Sequence, residues 1–92
     1  IAEIEDNDPQ LLERLGLERD AAKAALTAAT RARETAQLDV TRQENLYNKG
    51  LSARRALEVA RIEFASWQAK EAEAASKLAS AETKLSRQHA QA

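Results

Sequence analysis

Residues 42–52, Arg42-Gln43-Glu44-Asn45-Leu46-Tyr47-Asn48-Lys49-Gly50-Leu51-Ser52, are where a long helical pattern stops and restarts. A Gly just past a helical run can take the left-handed conformation that closes a helix, and a Ser just before one can cap the next. With Gly50 as the closing residue, Leu46 falls at the third position from the helix end and Leu51 directly after the Gly. That is the apolar pair a Schellman ending brings together. The stretch therefore predicts a tight reversal with a small Leu46–Leu51 clasp, joining two arms that lie side by side.

Upstream, Asp8-Pro9 is a helix start. Asp8 can accept hydrogen bonds from the free N–H groups of the first turn, and Pro9 loses nothing there by lacking an N–H. From Pro9 to the turn the strongest breaker is Gly16, a cost of about 1 kcal/mol relative to Ala that a long helix tolerates. Leu15, Ala22, Ala29 and Ala36 recur seven apart, with Leu12, Leu26 and Val40 at the companion position and Arg19 and Arg33 interrupting it. Downstream, Leu57, Phe64, Leu78 and Leu85 form one series and Ala60, Trp67, Ala74 and Ala81 the other. Glu71 is the interruption there. Each arm thus carries a narrow apolar seam on a charged background, the pattern of a coiled coil.

Folding back at residue 49 or 50 sets Phe64 against Ala36, Leu26 against Ala74, Leu78 against Ala22 and Leu85 against Leu15. Large side chains then meet small ones nearly throughout, as interdigitating seams do. The fold expected is all-α, a long antiparallel two-helix coiled-coil hairpin preceded by a short extended N-terminal remnant. Its parts are a remnant over 1–8, an ascending helix over 9–49, a tip over 50–52 and a descending helix over 53–90. Each arm would be about 55–60 Å long at 1.5 Å per residue.

Composition agrees with this and excludes much else. Of the 92 residues 43% are apolar, but most of these are Ala, with one Trp, one Tyr and one Phe, too little bulk for a thick core. Charged residues make up 32% and the net charge is −1, so nothing pulls the whole chain toward nucleic acid or an anionic membrane. No run of eighteen apolar residues is present, and the absence of Cys excludes disulfides and thiolate metal sites. The opening Ile1-Ala2-Glu3-Ile4-Glu5-Asp6 lacks an initiator Met and alternates apolar with acidic residues, like the end of a strand whose partners lie elsewhere. It predicts a piece of a longer protein.

Chemistry is sparse. His89 is the single His, with no second His or Cys beside it, and reads as solvated. Glu71 and Glu73, like Asp6 and Asp8, are two apart, and such positions do not share a helix face. No phosphate-cradling loop and no nucleophile–base set is present, so neither an enzyme nor a cofactor site is expected. Arg19, Arg33 and Glu71 in the seam either lay their stems over it with heads in water or fix its register. Trp67 reads as core or, if exposed, as a contact outside the hairpin. Around the tip Arg42, Lys49, Arg54, Arg55 and Arg61 outnumber Glu44 and Glu58, a bias suited to an acidic or carbonyl-rich partner surface.

The chain resembles the α-helical hairpin of periplasmic adaptor proteins, or membrane fusion proteins, of the HlyD-like superfamily. The order Arg42, Leu46, Ser52 around the turn looks like the family's tip pattern, with one residue fewer between the Leu and the Ser. Ala56-Leu57-Glu58-Val59-Ala60, leading into Ala-rich heptads, is similar to its descending helix, and residues 1–6 to the last strand of a half lipoyl-like domain. The resemblance implies a periplasmic protein anchored at the inner membrane beside a transporter, with hairpins gathered in rings of six. Their tips would dock a TolC-like outer-membrane channel in an efflux or secretion assembly. Carried over by position, Arg42, Leu46 and Ser52 would be the channel contacts. The competing expectation is a coiled-coil segment of a scaffold or tether whose tip has no specific partner.

Overall fold

The computed structural model describes residues 8–91. Two helices form a hairpin: α1, Pro9–Asn48, of 40 residues, and α2, Arg54–Gln91, of 38. The extended remnant expected over residues 1–8 falls, apart from Asp8, outside the described residues.

Asp8 starts α1 as its chemistry dictates. Its carboxylate accepts the Gln10 N–H at 2.9 Å, and its carbonyl accepts the N–H groups of Leu11 and Leu12 at 3.1 and 3.2 Å. Three of the first-turn donors are thereby satisfied. The helix runs through Gly16 unbroken, and a Cβ there would meet nothing within 4 Å.

The chain divides into two compact units. The tip unit is Thr27–Ala72 and contains the turn, while the base unit is built from residues up to Leu26 and from Glu73 onward. In the tip unit the seam is closed: Ala29, Ala36, Leu57 and Ala60 are buried at 3–9% exposure, and Val40, Phe64 and Trp67 are half-buried between them. In the base unit Leu12, Leu15, Leu26, Leu78 and Leu85 follow the same spacing, yet each stays half-buried. Both expected heptad series are therefore the inward faces of their helices.

The register differs from the one expected. In the tip unit Arg33 meets Glu71, and Arg61 reaches Glu44. Folding about residue 49 or 50 would instead have set Arg33 opposite Ser66 and Glu71 opposite Ala28. The reason lies in the turn, where residues 51–53 all precede α2, so the fold-back is centred near Leu51 and α2 enters the seam later. The helix ends accordingly fall at Asn48 and Arg54, where 49 and 53 were expected.

Candidate interaction tip

The turn is a Schellman closure with every member where the spacing put it. Gly50 has φ = 72°, a left-handed conformation that a side chain would strain. The Leu51 N–H donates to the Leu46 carbonyl at 2.8 Å and the Gly50 N–H to the Tyr47 carbonyl at 2.9 Å. These are the two bonds that define the motif, and they satisfy carbonyls the end of α1 would otherwise leave open. The apolar clasp is not closed, however. Leu46 is half-buried, but Leu51 remains 71% exposed.

The three expected tip contacts lie in different surroundings. Arg42 is well exposed, and its guanidinium forms an ion pair with Asp39 one turn back on the same helix. Leu46, four residues on, occupies the same side of α1 and is half covered. Ser52 points inward. Its hydroxyl donates to Gln43 Oε1 at 2.9 Å and lies 3.3 Å from the Ala53 carbonyl. The role of helix cap expected for Ser52 does not hold, because α2 begins at Arg54 and the capping position falls on Ala53. The Ala53 carbonyl accepts the Ala56 N–H at 3.1 Å. Ser52 is instead a tie between the turn and α1.

The basic bias of the tip resolves into paired and unpaired charges. Arg54 bridges Glu58 at 3.1 Å and Arg61 reaches Glu44 at 3.5 Å, while Arg42 has Asp39. Lys49 and Arg55 are exposed and make no ion pair among the described residues. They stand on either side of Leu51 in the sequence.

Further down the tip unit, the two charged interruptions of the seam hold each other. Arg33 Nε lies 3.0 Å from Glu71 Oε1 and Arg33 Nη2 3.3 Å from Oε2, a two-pronged pair, and Nη1 donates to Gln37 at 3.1 Å. The hydrogen bond from Arg33 holds the Glu71 carboxyl below its ordinary value, and the Thr30 hydroxyl adds to the effect. The same bond raises Arg33 above its own ordinary value. Both side chains are still about a quarter exposed, so the fork is a partly hydrated register device in the seam. For Arg33 and Glu71, pairing across the seam replaces a stem laid along it.

Trp67 is half-buried beside a groove of about 720 Å³ that it shares with Ala32, Ala36, Arg42 and Glu63. Lys70 Nζ sits 4.3 Å from the centre of its ring, a cation–π contact on the outer side. Of the large apolar residues left exposed among the described residues, Leu38, Tyr47, Leu51, Val59 and Ile62 belong to the tip unit, and only Leu17 to the base. Two tip residues gain a meaning in the structure that their spacing does not give them. Leu51 has the spacing of half a clasp and stands open, and Gln43 holds Ser52 without any local sequence signal for it.

The described residues contain no helix long and apolar enough to cross a membrane and no cluster of three potential metal ligands. The chain matches no protein-family model, no curated protein and no solved structure.

Proposed function

We propose that this hairpin is a docking arm, the helical hairpin of a periplasmic adaptor whose tip contacts a TolC-like outer-membrane channel while other parts of the protein engage an inner-membrane transporter. The reading is one of contact rather than catalysis. The observation that carries it is the concentration of exposed bulky apolar residues in the tip unit, five against one among the described residues. Of these, Tyr47 and Leu51 lie at the turn itself, where a hairpin with no partner has no reason to leave bulky apolar side chains uncovered. The order of Arg42, Leu46 and Ser52 around a rigidly closed turn supports the finer assignment. In this reading Arg42 and Leu46 touch the channel, and Ser52 holds the turn in shape through Gln43.

The test is made in the full-length protein. Arg42→Asp and Leu46→Ala should each weaken channel binding roughly tenfold, the effect of losing one anchoring contact. Circular dichroism should show the helix content unchanged. Export and binding that both survive, with helicity normal, would sink the docking assignment. They would leave the scaffold reading, which the Arg42–Asp39 and Ser52–Gln43 pairings favour by giving both side chains a partner within the chain.

A further inference from the structure

We infer that the contact is made by the apex of the turn, with Leu51 entering an apolar recess and Lys49 and Arg55 meeting carboxylates on its rim. The partner is a protein surface of acidic character. This rests on the proposed docking role and extends the contact assigned there to Arg42 and Leu46 to the apex.

Three independent features converge on Leu51, Lys49 and Arg55. First, Leu51 is 71% exposed at a position where the Schellman motif ordinarily brings an apolar contact with the residue five back. Its backbone is nevertheless fixed by the bond to Leu46 and by Gly50 in the left-handed region, so the side chain is presented from a rigid support. An anchor held this way loses little conformational freedom on binding.

Second, the charges around it are selectively unmatched. Arg42, Arg54 and Arg61 each have a carboxylate within the hairpin, whereas Lys49 and Arg55, the pair flanking Leu51, have none among the described residues. An apolar centre with a polar rim is the usual anatomy of a protein interface, and the two unmatched charges nearest Leu51 in the sequence are both positive.

Third, Arg55 lies in the first turn of α2, which holds no acidic residue. The helix dipole disfavours a cation there. Arg54, beside it, is compensated by Glu58; Arg55 is not. A local rule broken without repayment inside the chain marks a residue kept for something outside it.

The experiment is photo-crosslinking in cells that make the protein, with the reactive side chain at Ala53, which is exposed beside the apex, and separately at Leu38, on the Arg42 side of α1. The expected result is an adduct from Ala53 to a TolC-like channel at an acidic stretch. Its yield should fall about tenfold in Leu51→Ser and in Lys49→Glu/Arg55→Glu, as when an anchor or its matching charges are lost. Arg55→Glu alone should raise the thermal stability of the hairpin while lowering the yield, a divergence that a purely structural role would not produce. The same loss, in an adduct to an acidic stretch of some other identified protein, upholds the apex contact and overturns the channel reading. Adducts from Leu38 alone, or an Ala53 adduct indifferent to both variants, overturn the apex contact and leave the channel reading standing. An adduct only to a second copy, cosedimentation with phosphatidylglycerol vesicles that the charge reversal abolishes, or no adduct at all also overturns it.

Discussion

The tip and base units are built on the same heptad plan and differ in how far they close. The base seam carries Leu12, Leu15, Leu26, Leu78 and Leu85 and encloses none of them. The tip is lined largely by Ala and buries Ala29, Ala36 and Ala60 almost completely. Side-chain size does not account for the difference, because Ala22, Ala74 and Ala81 in the base seam are also only half-buried. Leu57 makes the same point from the tip. It is 5% exposed, beside a groove that it shares with Tyr47, Arg54 and Arg61. Burial in this hairpin therefore does not follow residue size.

The contrast breaks most directly at Leu57, where the greatest loss is expected. Leu57→Ala should destabilise the protein by about 2–4 kcal/mol, the cost of emptying a closed site. Leu85→Ala, in the open base seam, should cost about 1 kcal/mol, since less area is withdrawn from water. Equal losses in urea titrations would mean the two units are closed alike. A smaller effect tests the polar side of the comparison. Because Glu71 is held below its ordinary value in the folded chain, its pairing contributes stability in full above the unfolded carboxylate range. That contribution is lost as pH falls through the lower, folded value. The urea midpoint should therefore drop on acidification through and below pH 4.5, the ordinary value for such a group, and drop less in Glu71→Gln. A wild-type acid response identical to the variant's would deny the fork its role. The smallest effect belongs to the base. Gly16→Ala should raise stability by about 0.5–1 kcal/mol, because the helix conformation is unstrained and the added methyl has open space. A loss there would mean that the base helix is not continuous in solution.

How much of this was legible in the sequence follows from the range of each force. The two seams are written in a seven-residue period, and the closure of α1 in the spacing of Leu46, Gly50 and Leu51, so local geometry alone reveals them. Register was not legible. It depends on how many residues the turn spends after Gly50, and the capping chemistry of Ser52 pointed one residue short of Ala53, the last before α2. Consequently Arg33 and Glu71 were visible as two separate interruptions but not as partners. The tip contacts suffered the same limit. Whether Arg42 reaches Asp39, or Ser52 reaches Gln43, is a choice among side-chain conformations that only the assembled turn decides. The unmatched state of Lys49 and Arg55 became apparent only once their neighbours' pairings were known.

The short reversal over residues 49–53 also governs the order of assembly. The entropy lost in bringing two chain positions together rises with the number of residues between them, so pairs nearest the turn meet most readily. Pairing then grows outward like a zipper, and contacts local in sequence favour a fast start. Amide exchange should report the same gradient, slow beside Leu57 and quicker toward the free ends. A partner gripping the apex would hold the zipper at its starting point, lengthening the life of the whole hairpin from the end where it is touched.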